Sequence, residues 1–237
     1  MAFVIGQVAF MLTGALLCTT AVSAYATEED YIDETLVFAT IERGAFEPHY
    51  WFDIGRDDSG NFMRHSLVVE YGITDHWMVD CRATGIDERG DGFHLDSSHL
   101  ETRYRFFKED TLPVDIAASG EINSRRDQED HQIIGIEPRL ILSKDFGKLN
   151  ATFNASVEFP FSRHSPTVET RGGLEYDVSE FFHIGSELRY DTEEHAVAVI
   201  PQIWLTFPHK VTFKAGYSYD FGATHEKFLR IALVVEF

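Results

Sequence analysis

Residues 228–237, FLRIALVVEF, place an apolar side chain at every second position, and this alternation decides the fold. One phase of the stretch holds Leu229, Ile231, Leu233, Val235 and Phe237. The other phase holds Arg230, Ala232, Val234 and Glu236. Because successive side chains of a β-strand point to opposite faces, the pattern predicts a strand with one apolar face and one face that tolerates charge.

The same alternation recurs along the chain. Its clearest example is residues 149–159, LNATFNASVEF, in which apolar side chains alternate with Asn, Thr, Ser and Glu. We predict about twelve such strands of roughly ten residues each, the length that a tilted strand needs to cross a bilayer. They are expected near residues 45–55, 64–73, 77–85, 94–107, 113–123, 131–143, 148–159, 167–177, 182–191, 196–207, 210–221 and 227–237.

The predicted connections alternate between two kinds. Compact ones lie at 74–76, 108–113, 144–148, 178–180 and 208–210, and longer or more charged ones separate them. A meander with tight turns on one side and looser loops on the other is typical of outer-membrane barrels. Aromatic residues gather near the compact connections, as in an interfacial girdle. These are Trp77, Phe106, Phe107, Phe146, Phe181, Phe182 and Phe207.

The chemistry of the two faces favours a barrel in lipid. In a soluble sandwich the outward face is polar, but here the apolar face recurs in every strand and the other face is rich in charge. We therefore predict an all-β, antiparallel up-and-down transmembrane β-barrel, with Leu229, Phe153 and Val69 facing lipid. The alternative is a soluble periplasmic β-protein with a second sheet against the apolar face. Pro138 and Pro201 fall within strands, where we expect bulges or bends.

The beginning of the chain is typical of an export signal. Residues 1–26 carry no charged side chain and end in the small-x-small pattern AYA, so we predict a signal peptide there, with a retained membrane anchor as the alternative. Residues 27–44 form an acidic lead, and residues 45–237 form the barrel. A net charge of −19 excludes nucleic-acid partners. The two cysteines offer neither a disulfide framework nor a cysteine zinc site, and we expect no cofactor.

Serine and histidine occur side by side at His65-Ser66 and at His164-Ser165, which raises the alternative of an outer-membrane hydrolase. Neighbouring residues on a strand point to opposite faces, so neither pair forms a nucleophile–base contact in a regular strand. The sequence also lacks the phosphate-loop, HExxH and EF-hand patterns. We therefore predict that the protein is not an enzyme.

The charged face supplies the candidate functional residues. We expect it to line the lumen with Glu101, Arg103, Arg105, Glu121, Glu137, Arg139, Glu158, Glu169, Arg171, Glu175, Glu187, Arg189 and Lys214. These charges either pair across the lumen and occlude it, or line a narrow aqueous path that selects a small polar or charged solute. An aromatic solute would need an apolar path, for which Trp51 and Trp204 are the visible support.

Two stretches carry a family resemblance. Residues 68–84, VVEYGITDHWMVDCRAT, and residues 101–122, ETRYRFFKEDTLPVDIAASGEI, resemble the family of outer-membrane barrels named for the meta-pathway of phenol degradation. The shared features are the turn formed by residues 71–77, the Arg-rich strand that follows, and a turn that closes on Leu112-Pro113. The resemblance implies a transporter of the Gram-negative outer membrane, similar to porins.

The expected partners follow from that location. They are the lipid bilayer, lipopolysaccharide, a small-molecule solute, and the barrel-assembly machinery, which we expect to engage the strand that ends at the aromatic Phe237. The alternative function is a structural or surface-interaction barrel with an occluded lumen.

Overall fold

The computed structural model describes residues 29–88, 92–126, 132–161, 165–192, 195–208, 210–222 and 225–237. The predicted signal peptide, residues 1–26, lies outside these residues. Within them the chain forms twelve strands. They are β1 Phe46–Arg56, β2 Asn61–Thr74, β3 Trp77–Glu88, β4 His94–Arg105, β5 Asp115–Arg126, β6 Gln132–Phe146, β7 Leu149–Pro160, β8 Thr167–Asp177, β9 Phe182–Asp191, β10 Ala196–Phe207, β11 Val211–Asp220 and β12 Lys227–Val235. No helix among the described residues is long and apolar enough to cross a membrane.

The strands close into one barrel. Each strand pairs antiparallel with its neighbours in sequence, and β1 pairs with β12, so that His49 lies opposite Val234 and Arg56 opposite Lys227. Closure leaves every strand edge hydrogen-bonded, as a sheet in lipid requires. The predicted all-β, up-and-down barrel of twelve strands is confirmed.

The barrel is apolar outside and polar inside. The side chains of Leu229, Phe153 and Val69 are 39%, 45% and 39% exposed on the outer surface. Their neighbours in sequence, such as Arg230 and Asn154, are buried in the interior. A soluble sandwich would have the opposite arrangement, so the outer surface of this barrel is suited to lipid.

The two ends of the barrel differ. The turn end carries the connections β2–β3, β4–β5, β6–β7, β8–β9 and β10–β11, and the loop end carries the others. At the turn end, Phe46 and Phe237 join the start and the end of the barrel through two backbone hydrogen bonds of 3.0 and 3.3 Å. Of the predicted girdle residues, Trp77, Phe106, Phe107, Phe146, Phe181 and Phe207 are exposed around this end.

The two mid-strand prolines interrupt pairing without shifting the register, so of the bulges or bends expected there, the described strands show no bulge at either position. Pro138 lies opposite Gly120 of β5, and Pro201 lies opposite Ser186 of β9. The N–H and C=O of one residue in an antiparallel strand face the same neighbour, so the missing N–H weakens the ladder on one side only. The irregularities lie instead between Gly72 and Thr74 and at Thr84/Gly85.

We expect Phe153→Arg, on the lipid face of β7, to lower the free energy of unfolding by about 2–4 kcal/mol because it places a charge in the hydrocarbon layer. Urea titration of the protein refolded in phospholipid vesicles, followed by tryptophan fluorescence, measures this loss. Phe153→Leu is the control and should cost less than about 1.5 kcal/mol, since it remains apolar. Equal stability of the arginine and leucine variants would contradict the lipid-facing assignment.

Candidate functional site: a lumen filled by the N-terminal segment

The lumen is occupied by residues 29–44, which we call the plug. The segment runs from the turn end to a bend at Asp33 and Glu34 and returns to Phe46 at the start of β1. Within the bend, the N–H of Tyr31 donates to the carbonyl of Thr35 at 3.0 Å. The apolar side chains of the plug are almost fully buried inside the barrel, and they are Tyr31, Ile32, Leu36, Val37 and Phe38.

Side chains of the barrel wall satisfy the backbone of the plug. Glu187 accepts hydrogen bonds from the N–H groups of Asp33 and Thr35, at 2.7 and 3.0 Å. Asn154 accepts from the N–H of Leu36 and donates to its carbonyl, at 2.8 and 2.9 Å. An irregular segment inside a barrel needs such partners because its backbone groups are removed from bulk water. The polar side chains of the wall therefore supply the hydrogen-bond partners that the backbone of the plug requires.

Cations of the wall bind the acidic part of the plug. Arg103 forms an ion pair with Asp30 at 2.5 Å, and Lys214 forms one with Glu29 at 2.6 Å. Among the described residues, seven wall cations contact the plug through its carboxylates or its backbone carbonyls, and they are Arg82, Arg103, Arg139, Arg171, Arg189, Lys214 and Arg230. The acidic lead of the sequence thus supplies carboxylates that pair with these cations of the wall.

One ion pair lies at the junction that closes the barrel. Arg230 of β12 and Asp53 of β1 are opposite each other in the register. The guanidinium donates to both carboxylate oxygens of Asp53, at 2.7 and 2.8 Å, and to the carbonyl of Ile32 at 3.0 Å. Asp53 is only 2% exposed. This bidentate pair therefore joins the first strand, the last strand and the plug.

The structure places the side chains of all thirteen predicted lumen residues on the inner face. Glu101, Arg103, Glu121, Arg139, Arg171, Glu175, Glu187 and Lys214 are buried, and Arg105, Glu137, Glu158, Glu169 and Arg189 are partly buried. Among charged residues that are two positions apart on one strand, Arg139 pairs with Glu137 at 2.8 Å, and Arg171 pairs with Glu169 at 2.5 Å. Glu187 and Arg189 bind the plug rather than each other.

A row of carboxylates crosses half of the barrel wall. Adjacent strands place acidic residues directly opposite one another in the order Glu47, Glu70, Asp80, Glu101, Glu121 and Glu137, from β1 to β6. Like charges opposite one another destabilise a sheet unless cations compensate them. Arg82, Arg103 and Arg139 lie within this region and supply that compensation.

The described residues leave spaces in the lumen beside the plug, of which we consider the following. A vestibule of about 1020 Å³ opens at the turn end, and a smaller cavity of about 180 Å³ lies towards the loop end. Between them is a gap of about 40 Å³ against β1–β4, which shares Glu34, Trp51 and Arg82 with the loop-end cavity. A gap of this size holds a few water molecules, since one needs roughly 10–15 Å³.

The vestibule and the loop-end cavity differ in charge. Among the described residues, the vestibule is lined by ten carboxylates and by four Lys or Arg side chains. The loop-end cavity contains Arg64, Arg82, Arg189 and Arg230 with four carboxylates. Burial raises the pKa of Glu226 at its rim, but the Arg64 guanidinium at 2.8 Å outweighs burial and lowers this pKa overall. The turn end is thus the more negative entrance.

The plug is the functional element that sequence reasoning missed. The sequence did indicate that this segment is buried, because its apolar content is unusually high for an exposed acidic lead. The apolar residues are Tyr31, Ile32, Leu36, Val37 and Phe38. Apolar and acidic residues mixed in this way suit an interior that offers both buried surface and cations. The row of carboxylates was missed as well. It depends on which residues of neighbouring strands lie opposite one another, and the sequence does not provide this register.

The His65-Ser66 pair behaves as the strand geometry predicts. His65 points outward and lies 2.6 Å from the hydroxyl of Tyr50, and Ser66 points inward and lies 2.8 Å from that of Thr84. The two side chains lie on opposite faces of β2, so they do not form a nucleophile–base pair. His164 lies outside the described residues.

We expect Gly173→Val to displace the plug, because a Cβ at Gly173 would lie 2.5 Å from the Tyr31 ring. Thr35→Cys, at a fully buried plug position, reports displacement through maleimide labelling in a Cys81→Ser background. Labelling should be roughly tenfold faster, since overpacking costs about 1–3 kcal/mol. Gly172→Val is the control, because the nearest atom to its Cβ is 3.9 Å away. Equal labelling in both variants would contradict the observed packing.

Solved structures share this fold. The KdgM porin, in a complex with disordered oligogalacturonate, is 9% identical, with a TM-score of 0.63 over 81% of this chain and 99% of that chain. An outer membrane channel from Pseudomonas putida F1 is 12% identical, with a TM-score of 0.59 over 89% and 100%. The NanC porin is 13% identical, with a TM-score of 0.61 over 78% and 98%.

These likenesses show the barrel fold that the chain has in common with outer-membrane porins. No protein-family model matches the sequence, and no curated protein matches it either. The comparisons therefore establish the fold, and any inference about function rests on the chemistry of the lumen.

Proposed function

We propose that this protein is an outer-membrane channel for small polar or charged solutes and that its own N-terminal segment narrows the path. The observation that carries the proposal is the sequence of spaces beside the plug, from the vestibule through the gap to the loop-end cavity. Because the gap holds only a few water molecules, we expect the conformation described here to admit nothing larger than water and small ions. Larger solutes require the plug to move.

The walls of the gap support a polar or charged solute rather than an aromatic one. The gap is lined by the acidic residues Asp30, Glu70, Asp80 and Glu101 and by the basic residues Arg82, Arg103, Arg139 and Lys214. The two inward tryptophans are already engaged. Trp51 lies 5.0 and 4.9 Å from the guanidinium carbons of Arg82 and Arg230, and Trp204 packs edge-on against the Tyr31 ring at 5.5 Å. The resemblance to the phenol-degradation family would favour an aromatic solute, but the gap of about 40 Å³ is far smaller than the roughly 150 Å³ cavity that accommodates a benzene ring.

The expected ion preference follows from the charges. A vestibule with more carboxylates than cations concentrates cations and repels anions. We therefore expect the refolded full-length mature chain to produce small single-channel steps in planar bilayers and a reversal potential that favours K⁺ over Cl⁻ in a KCl gradient. Absence of steps at every applied potential would overturn the channel proposal for this protein.

The second candidate function is a structural or surface-interaction barrel with an occluded lumen. It is favoured by the many contacts between the plug and the wall, among them those of Glu187, Asn154 and Arg230. A silent full-length chain, with steps appearing only after removal of the plug, would support it.

A further inference from the structure

We infer that Glu47, His49 and Glu70 form a binding site for a divalent transition-metal ion of the zinc class. Glu47 and His49 are two residues apart on β1, so both point into the lumen. Glu70 of β2 lies directly opposite Glu47 in the register. One ligand atom from each of the three side chains lies within 4.8 Å of the others.

The imidazole of His49 points at the two carboxylates without a hydrogen bond to either. Its Nε2 lies 3.6 Å from Glu47 Oε2 and 3.7 Å from Glu70 Oε1, and this buried nitrogen has no hydrogen-bond partner among the described residues. His49 is 8% exposed, and Glu47 and Glu70 are 8% and 9% exposed. An unsatisfied buried nitrogen and two facing carboxylates are each unfavourable without a third group between them.

The spacing of the three atoms fits an ion. With metal–nitrogen and metal–oxygen bonds of about 2.0–2.2 Å, two ligands of a tetrahedral zinc ion are about 3.4 Å apart. The observed separations of 3.6 and 3.7 Å are a little longer than this and too long for hydrogen bonds. One imidazole with two carboxylates suits Zn²⁺ and neighbouring first-row ions better than Mg²⁺ or Ca²⁺.

Nearby cations do not occupy the space between the ligands. Lys214 is engaged by the Glu29 carboxylate at 2.6 Å and the Asp30 carbonyl at 2.7 Å. Arg103 is engaged by Asp30 at 2.9 and 2.5 Å. Asp80, opposite Glu70, places a further carboxyl group in the neighbourhood. An ion reaches the site from the vestibule, since Glu47 lines its wall.

A second group of similar composition serves as an internal comparison. Glu175, Asp177 and His183 lie together at the turn end, but Nδ1 of His183 is 2.6 Å from Asp177 and 3.3 Å from Glu175. That histidine is satisfied by direct hydrogen bonds, whereas His49 is not.

Zinc binding to the untagged, refolded mature protein tests the inference by equilibrium dialysis with metal analysis, in excess Mg²⁺ to occupy exposed acidic loops. We expect one Zn²⁺ per chain, lost in His49→Gln and weakened at least about tenfold in Glu70→Gln, since loss of even an outer-shell partner weakens metal binding about 10–100-fold. His183→Gln should retain the ion. Resistance to SDS before boiling confirms that each variant has folded.

Cobalt adds a spectroscopic readout that a purely structural role of His49 would not produce. Co²⁺ bound by the wild-type protein should show the visible absorption bands of a four-coordinate site, and these should be absent in His49→Gln. No zinc binding by the wild-type protein would overturn the inference, because a protonated His49 paired with both carboxylates would then explain the cluster. Binding that persists in both His49→Gln and Glu70→Gln would overturn it equally.

Discussion

Deletion of residues 29–42 is expected to raise the single-channel conductance of the refolded barrel roughly threefold or more, because conductance follows the open cross-section of the lumen. With the plug in place, the gap beside it has a volume of about 40 Å³. The strands pair with each other through their own backbones, so the barrel closes without the plug. Single-channel recording in planar bilayers measures the change.

The same deletion should shift the ion preference towards anions. It removes the carboxylates of Glu29, Asp30, Asp33 and Glu34 from the lumen. It also exposes to water the seven wall cations that contact the plug. Loss of negative charge and exposure of positive charge act in the same direction, so the reversal potential in a KCl gradient should move towards that of chloride.

Two glycine variants provide controls with intact chain length. Gly173→Val, which crowds Tyr31, should change conductance in the same direction as the deletion, and Gly172→Val should behave as wild type. If the deletion leaves both conductance and ion preference unchanged, the segment does not obstruct the path.

Arg230→Met is expected to destabilise the barrel by about 3–5 kcal/mol, the cost of leaving a buried charge without its partner. The substitution preserves most of the apolar volume of the arginine stem but leaves the carboxylate of Asp53, 2% exposed, without its bidentate donor. It also removes a hydrogen bond to the carbonyl of Ile32 in the plug. Urea titration in phospholipid vesicles measures the loss.

The double variant Asp53→Asn/Arg230→Met separates the charge from the packing. Removing the second charge eliminates the unpaired carboxylate, so the double variant should be more stable than Arg230→Met alone. Arg126→Met, at an exposed position on β5, is the surface control and should cost less than about 1 kcal/mol. A loss in Arg230→Met no larger than this control would show that the junction does not depend on the pair.

The sequence predicted the two faces of each strand but not the register between neighbouring strands. Alternation in FLRIALVVEF and LNATFNASVEF identified which side chains face lipid, because a strand allows only two faces. It did not align neighbouring strands. The opposition of Glu47, Glu70 and Asp80 follows from hydrogen-bond pairing between strands, which depends on the turns and on the bulges at Gly72/Thr74 and Thr84/Gly85.

The prolines illustrate a related limit. Sequence reasoning correctly located Pro138 and Pro201 within strands but expected bulges or bends there. The structure retains the register on both sides of each proline, since each lacks a hydrogen-bond donor towards only one neighbouring strand.

The sequence by itself determined the strands, their number, the lipid-facing and lumen-facing sides, and the turn-end aromatic girdle, because these depend on local periodicity and on the solvent that each face prefers. Only the tertiary structure decided that residues 29–44 fill the lumen and that His49 meets Glu47 and Glu70. The first arrangement brings together groups that are distant in the chain, such as Asp33 with Arg189 and Arg230. The second depends on the register of β1 against β2. Their energies arise from burial and pairing of charge inside a closed barrel, which no local pattern contains.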